Sequence, residues 1–175
     1  MRLRQLFIAI AAMVAAGLGS SAAQADKVEV KGVHLCCPAC QKAVKGILDK
    51  VEGVSDIACD RKAKTVTFTA TDSKTAKKAF QSLRKGGFFG EASVDGNAIT
   101  VKNKASKDKT DKVTVGDVHV CCGACKKAIE TLFTGLTITY SGSGAQKSVT
   151  ISGENLEPAA VLDVLRKAGF NGKIK

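Results

Sequence analysis

The sequence is poor in aromatic residues and in proline, and both shortages exclude classes of protein. It has no Trp and a single Tyr among 175 residues, so it offers few flat side chains on which nucleic-acid bases could stack. Its only prolines are Pro38 and Pro158, and neither lies where a thioredoxin-like enzyme needs its cis-proline. We therefore expect no nucleic-acid partner, and a thioredoxin-like enzyme is disfavoured.

Several catalytic patterns are also missing. The sequence contains no Ser-His-Asp set, no phosphate-binding Gly-rich loop and no cluster of paired carboxylates. We therefore expect that the protein is not an enzyme acting on an organic substrate.

No apolar run is long enough for a membrane-spanning helix, which needs about 20 residues. The longest one, residues 6–18, follows Arg2 and Arg4 and leads into Ala23-Gln24-Ala25. This layout is typical of a secretory signal peptide, here residues 1–25, cut after Ala25. We expect an exported protein that does not span a membrane and that is periplasmic or secreted.

The charge of the mature chain is clearly basic. Removing residues 1–25 lowers the formal net charge from +11 to +9, because Arg2 and Arg4 are the only charged residues removed. The lysines are spread over both halves, which is typical of a solvated surface and gives a weak indication of an acidic partner.

An internal repeat divides the mature chain. Residues 33–43 (V-H-L-C-C-P-A-C-Q-K-A) recur as residues 118–128 (V-H-V-C-C-G-A-C-K-K-A), a constant offset of 85 positions. The motif L-R-K-G-G-F of residues 83–88 recurs as L-R-K-A-G-F in residues 165–170. The repeat predicts two domains, residues 26–103 and 112–175, joined by a polar, solvated linker of residues 104–111.

The apolar periodicity predicts the same α+β order in each copy, βαββαβ. In the first copy, strands are predicted near residues 28–33, 54–59 and 65–71, and the second helix over residues 74–85. This is the ferredoxin-like arrangement, in which an antiparallel sheet is covered by two helices on one face. Asp95-Gly96-Asn97 predicts an additional hairpin at the end of the first copy.

Each cysteine group lies where the first strand meets the first helix. Pro38 suits the first helical position, which leaves Cys37 near the helix cap and Cys40 one turn on. A helix start stabilises a thiolate through its unpaired N–H groups, and residues three apart are neighbours on a helix. The same reasoning applies to Cys122 and Cys125.

These residues resemble the C-x-x-C motif of heavy-metal-associated domains, the family of mercury- and copper-carrying modules, and the resemblance covers nearly all of the mature chain. It implies metal binding by Cys37 and Cys40 and by Cys122 and Cys125. It also implies transfer of the ion by exchange of thiolate ligands with a partner, such as a metal-transporting membrane pump or another carrier.

The ligand positions depart from the usual family pattern. Cys36 and Cys121 stand where a non-thiol residue is usual, and a third thiolate would turn a two-sulfur site into a three-sulfur one. His34 and His119 are candidate fourth ligands, because His34 and Cys36 point to the same side of an extended chain. Such sites suit zinc, cadmium, lead, mercury or copper(I), with one soft ion expected per domain, and disfavour magnesium and calcium.

Three further predictions concern the surroundings of the thiols. Leu35 and Val120, which replace a frequent Met, are expected to be buried apolar plugs, and Cys59 is expected to be a packed core thiol. The recurring motif at the end of the second helix is expected either to cap the helix and pack a Phe, or to cover the site. In the second case Lys85 and Lys167 would offset thiolate charge, and Phe88 and Phe170 would shield the sulfurs.

Three functions remain open from the sequence. The first is capture or transport of soft metal ions, and the second is a periplasmic thiol-disulfide oxidoreductase, since C-x-x-C can cycle between dithiol and disulfide. The third is a disulfide framework, which needs a bridge between copies or chains because each copy has three clustered thiols. The sequence also leaves open whether the two sites bind separate ions or share one.

Overall fold

The computed structural model describes residues 25–175. The predicted signal peptide, except for Ala25, lies outside the described residues. Within the described residues, no helix has the length and apolar character that crossing a membrane requires.

The N-terminal half, residues 26–98, forms a five-stranded antiparallel sheet and two helices. The strands are β1 (Asp26–Lys31), β2 (Val54–Asp60), β3 (Thr65–Ala70), β4 (Glu91–Val94) and β5 (Asn97–Ala98). The helices are α1 (Pro38–Leu48) and α2 (Ser73–Lys85). The strand order in the sheet is β2-β3-β1-β4-β5.

The C-terminal half, residues 110–174, has a four-stranded antiparallel sheet and two helices. Its strands are β6 (Thr110–His119), β7 (Thr137–Ser141), β8 (Gln146–Leu156) and β9 (Lys173–Ile174). Its helices are α3 (Gly123–Leu132) and α4 (Pro158–Lys167). The strand order is β7-β8-β6-β9, which repeats the order of the first four strands of the N-terminal half.

The local sequence explains where these elements begin and which side they bury. In β1, Val28 and Val30 alternate with exposed residues and are buried, as expected for a strand with one face on a core. Helix α2 begins after Asp72, whose carboxylate accepts a hydrogen bond of 2.6 Å from the backbone N–H of Thr75. Helix α1 begins at Pro38, whose missing N–H is not needed in the first turn.

The predicted α+β class, antiparallel sheets and helices are confirmed. The predicted hairpin is also confirmed, since Val94 pairs with Asn97 and Ser93 with Ala98. The long strand β6 differs from the prediction because it begins at Thr110, inside the segment predicted as linker. Its register against β8 shifts between Val115 and Val118, so a bulge lies directly before the second cysteine group.

The two halves pack against each other at the turns that follow α2 and α4. Phe88 and Phe170 form an antiparallel bridge. The N–H of Phe89 donates to the carbonyl of Gly169 over 3.0 Å, and the N–H of Asn171 donates to the carbonyl of Gly87 over 2.9 Å. Buried apolar residues of both halves belong to one contiguous cluster. The recurring motif of residues 83–88 and 165–170 therefore forms contacts between the halves.

Gly87 and Gly169 are required at this contact. Both have φ of +88°, and a Cβ at either position would collide with backbone atoms of the opposite half, at His119 for Gly87 and at His34 for Gly169. A glycine at each site lets the two chains approach closely enough for the contacts above.

The segment before β6 is more ordered than a solvated linker would be. The carbonyl of Ser106 accepts a hydrogen bond of 2.8 Å from the N–H of Ala159, an otherwise unpaired donor in the first turn of α4. The amide of Asn103 donates to the carbonyl of Ala159 and to the carboxylate of Asp163. These contacts hold the connecting segment along the start of α4.

Candidate metal centre

The cysteine groups occupy equivalent positions in the two halves. Cys37 and Cys122 are the N-cap residues of α1 and α3, with extended backbones. Cys40 and Cys125 lie in the first turn of each helix and are fully buried. The remaining two, Cys36 and Cys121, precede the caps and are partly buried.

Within each half the sulfurs are in contact. The Sγ atom of Cys40 lies 3.6 Å from that of Cys36 and 3.7 Å from that of Cys37. In the C-terminal half, the Sγ atom of Cys125 lies 3.8 Å from the sulfurs of both Cys121 and Cys122. The convergence that the C-x-x-C spacing predicts is present in both halves.

The two cysteine groups also contact each other, so that the six sulfurs form one cluster. The Sγ atom of Cys36 lies 3.5 Å from that of Cys125 and 3.7 Å from that of Cys122. The Sγ atom of Cys121 lies 3.6 Å from the sulfurs of both Cys37 and Cys40. All six thiols are free. The sequence alone did not predict these contacts between the halves.

Each histidine lies beside a sulfur of its own half and a sulfur of the other. One ring nitrogen of His34 lies within 4.8 Å of the sulfurs of Cys36 and Cys125. One ring nitrogen of His119 lies within 4.8 Å of the sulfurs of Cys40 and Cys121. Both predicted histidines are therefore close enough to the cluster to act as ligands after small adjustments.

The histidine rings are held by phenylalanines from the opposite half. The ring centroids of His34 and Phe170 are 4.1 Å apart, and those of His119 and Phe88 are 4.3 Å apart, both stacked. The Nε2 atoms of both histidines are buried and have no hydrogen-bond partner among the described residues. A buried ring nitrogen without a partner is costly, and a bound cation would satisfy it.

Burial and crowding control the protonation of the thiols. Burial raises the pKa of Cys36 and of Cys121 well above the usual range. The neighbouring Cys125 thiol, followed by burial, raises the pKa of Cys40. The backbone N–H of Cys125 lowers the pKa of Cys122, as expected at a helix start. Six thiolates so close together require a compensating cation, so metal binding and loss of the thiol protons are coupled.

His34 is suited to bind a cation as a neutral ring. Burial, followed by the positive charge of Lys64, lowers the pKa of His34 to about 4. At neutral pH the ring is therefore uncharged and has a free lone pair, which is the form that binds metal ions.

The donor atoms and their spacing suit soft metal ions. The candidate ligand groups among the described residues contain only cysteine sulfur and histidine nitrogen, with no carboxylate. The sulfur-to-sulfur distances of 3.5 to 3.8 Å are close to the spacing of about 3.8 Å that bonds of about 2.3 Å impose around a tetrahedral zinc ion. Copper(I), zinc, cadmium, mercury and lead all accept such donors.

The surroundings of the site agree with some predictions and not with others. Leu35 and Val120 are buried, as the plug hypothesis predicted. Cys59 is only partly buried, packs against the core and does not belong to the sulfur cluster, and burial raises its pKa.

The lysines and phenylalanines of the recurring motif lie in different surroundings. The side chains of Lys85 and Lys167 are exposed. Phe88 and Phe170 are buried against the histidines of the opposite half. The recurrence of the motif in both halves, with five of its six residues unchanged, was a signal that its residues have a shared role.

An open groove leads to one side of the cluster. It has a volume of about 770 Å³ and is lined by nine residues of the N-terminal half. They are His34, Leu35, Cys36, Gln41, Cys59, Asp60, Arg61, Lys62 and Lys64. The groove gives solvent access to Cys36 and His34 along a mainly basic wall.

Residues 27–89 match the model of the heavy-metal-associated domain. No curated protein matches the chain. Among solved structures, an aspartate kinase from Clostridium acetobutylicum is similar at 11% identity and a TM-score of 0.26, over 82% of this chain and 32% of the kinase. The first two RRM domains of a yeast poly(U)-binding protein are similar at 13% identity and a TM-score of 0.24, over 85% of this chain and 97% of theirs. The present chain spans about a third of the kinase.

Proposed function

We propose that the similarity to a heavy-metal-associated domain extends to the whole mature chain, which would be a tandem pair of such domains with the variant motif H-x-C-C-x-x-C. The match of residues 27–89 supports this for the first unit. The repeated strand order and the equivalent cysteine positions support it for the second, with units at residues 26–103 and 112–175.

The protein binds soft metal ions through its thiolates. The observation that carries this proposal is the cluster of six free sulfurs, whose contacts measure 3.5 to 3.8 Å, with one ring nitrogen of each histidine within 4.8 Å of two of them. The ion would be copper(I), zinc, cadmium, mercury or lead, since these favour sulfur and nitrogen donors.

The metal ion is a cargo and the protein is not an enzyme. The groove beside Cys36 and His34 leaves a route by which a ligand of another protein reaches the site, and ligand exchange then transfers the ion. Its basic wall, with Arg61, Lys62 and Lys64, favours an acidic surface on a membrane pump or on a second carrier.

The protein acts outside the cytoplasm, after cleavage of residues 1–25. The layout of the first residues, with Arg2 and Arg4 before an apolar run and Ala23-Gln24-Ala25 after it, supports this part of the proposal. Mass spectrometry of the protein purified from an expressing cell tests it. A mature chain that begins at Asp26 is expected, and an uncleaved chain found in the cytoplasm contradicts export.

Titration of the reduced protein with copper(I), zinc, cadmium and mercury tests metal binding. We expect stoichiometric binding that a chelator reverses, and loss of this binding when all six clustered cysteines are replaced by serine. Cys59→Ser is the matched control and should bind like the unaltered protein, because Cys59 lies outside the cluster. A reduced and folded protein that binds none of these ions would contradict the proposal.

A further inference from the structure

The sulfurs of the six-cysteine cluster form two closed triangles, and each triangle combines both halves. In the first, the sulfurs of Cys37 and Cys40 are 3.7 Å apart, and each lies 3.6 Å from that of Cys121. A C-x-x-C pair is thus completed by a cysteine of the opposite half.

The second triangle has the same composition with the halves exchanged. The sulfurs of Cys122 and Cys125 are 3.8 Å apart, and the sulfur of Cys36 lies 3.7 and 3.5 Å from them. Each of the six cysteines belongs to one triangle only. Two three-sulfur sites therefore use all six thiols without sharing any of them.

The histidines follow the same pattern. His34 lies beside Cys36 and Cys125, both in the second triangle, and His119 lies beside Cys121 and Cys40, both in the first. The segment H-x-C of one half is therefore directed as a unit at the C-x-x-C pair of the other half. Residues two apart on an extended chain point to the same side, which explains why His34 and Cys36 reach across together.

We propose that the two soft metal ions are bound across the halves, one by Cys37, Cys40 and Cys121, and the other by Cys122, Cys125 and Cys36. His119 and His34 are the respective fourth ligands for ions that prefer four-coordination, such as zinc and cadmium. Copper(I), mercury and lead use the three sulfurs. This inference rests on the proposed function.

The arrangement gives the extra cysteine of each half a defined role. In a site confined to one half, Cys36 would complete the pair Cys37 and Cys40. The sulfurs of Cys36, Cys37 and Cys40 do lie within 4.8 Å of one another. The sulfur of Cys36, however, lies within 3.7 Å of both sulfurs of the opposite pair. The turns at Gly87 and Gly169 lie against the backbone of His119 and His34. This close approach of the two halves lets Cys36 and Cys121 reach the C-x-x-C pair of the opposite half.

A pair of matched variants distinguishes sites that cross the halves from sites confined to one half. The background is Cys37→Ser/Cys40→Ser in the full mature chain, which leaves one C-x-x-C pair and both Cys36 and Cys121. Cys36→Ser or Cys121→Ser is then added. The probe is Cd²⁺, and the readouts are its affinity in competition with a chelator and the sulfur-to-cadmium charge-transfer absorption per bound ion.

In this background we expect the added Cys36→Ser to lower Cd²⁺ affinity by at least ~10-fold and to reduce the charge-transfer absorption, because a direct ligand is lost. The added Cys121→Ser should leave both unchanged. In the reciprocal background, Cys122→Ser/Cys125→Ser, the two effects should be exchanged. The opposite pattern, or equal losses from both substitutions, would overturn the inference.

Controls separate this result from failure to fold and from failure of the proposed function. Far-ultraviolet circular dichroism of each metal-free variant shows whether the fold is retained, and the comparison is made between variants that retain it. If the unaltered protein binds no Cd²⁺, the proposed function fails. If the unaltered protein binds Cd²⁺, but in the first background Cys121→Ser weakens binding and Cys36→Ser does not, only the inference fails.

Discussion

At the scale of single residues, Cys36 and Cys121 add a third sulfur to each C-x-x-C pair. Each contacts the sulfurs of the opposite C-x-x-C pair at 3.5 to 3.7 Å, so a third sulfur is available to each pair. Three sulfurs favour ions that accept three or four ligands over ions held by two in a line.

Alkylation should distinguish Cys59 from the other six cysteines. Under the proposed assignment, Cd²⁺ protects the six clustered thiolates, whereas Cys59 lies partly exposed in the open groove. We expect slow modification of a single cysteine in the loaded protein and of more cysteines after the metal is removed with a chelator. Peptide mapping identifies the modified residue, and rapid labelling of Cys36 in the loaded protein would contradict the assignment.

Gly169→Ala should destabilise the protein more than an alanine at a glycine with open surroundings. A Cβ at position 169 collides with the backbone at Gly32 and His34, and the φ of +88° adds strain. Gly96→Ala is the matched control, because its φ of +84° is similar and no atom lies within 4 Å of the added carbon.

Urea unfolding measures both glycine variants. We expect a loss of free energy of unfolding of more than ~1 kcal/mol for Gly169→Ala, and a smaller loss for Gly96→Ala. Equal losses would mean that the close approach of the two halves at Gly169 does not contribute to stability.

At the scale of elements, the two turns after α2 and α4 connect packing with the metal site. Each turn places a buried phenylalanine on the histidine ring of the opposite half. Hydrogen bonds of a buried side chain, Asn171, stabilise this region further. Asn171 accepts a hydrogen bond of 3.0 Å from the guanidinium of Arg166 and donates to the carbonyl of Arg84.

Phe170→Ala should weaken both the fold and the metal site. Removing a fully buried phenylalanine is expected to lower the free energy of unfolding by ~3–5 kcal/mol. It also frees the ring of His34, so we expect weaker Cd²⁺ binding as well.

Phe68→Ala is the control for this effect. Phe68 is also buried, but it lies in β3 and packs in the sheet of the N-terminal half. In urea unfolding, Phe68→Ala should lower the free energy of unfolding by a similar amount. The folded variant should keep its Cd²⁺ affinity. Equal loss of affinity in both variants would contradict a specific role for Phe170.

The elements themselves were largely predictable from the sequence. Helix α2 was expected over residues 74–85 and extends over Ser73–Lys85, because its apolar spacing and the polar residues before it are local signals. The C-x-x-C spacing at the start of α1 and α3 likewise predicted converging sulfurs, since that geometry depends on a single helical turn.

The contacts between the halves could not be predicted in the same way. They depend on the shape of two folded surfaces, which no local period in the sequence encodes. The contact of Cys36 with Cys125 joins residues 89 positions apart, and the polar segment before β6 favoured separated units. The recurrence of Gly87 and Phe88 as Gly169 and Phe170 indicated a shared role but not its partner.

At the scale of the whole molecule, the metal ions are expected to stabilise the folded chain. Ions that bind only the folded state raise its stability, by about 2.7 kcal/mol per site at a free concentration 100 times the dissociation constant. We expect the thermal unfolding midpoint of the reduced protein to rise with Cd²⁺ and to stay unchanged with Mg²⁺.

The all-serine variant of the cluster is the control for this effect. It lacks the sulfur ligands, so its unfolding midpoint should not respond to Cd²⁺. A rise of equal size in this variant would mean that the ion stabilises the protein at some other place.

X-ray absorption at the cadmium edge of the loaded, fully reduced protein tests the central claim most directly, because it reports the atoms bound to the ion. We predict a first shell dominated by three sulfur atoms per ion. A shell made only of oxygen and nitrogen would contradict the assignment of the six-cysteine cluster as a soft-metal centre.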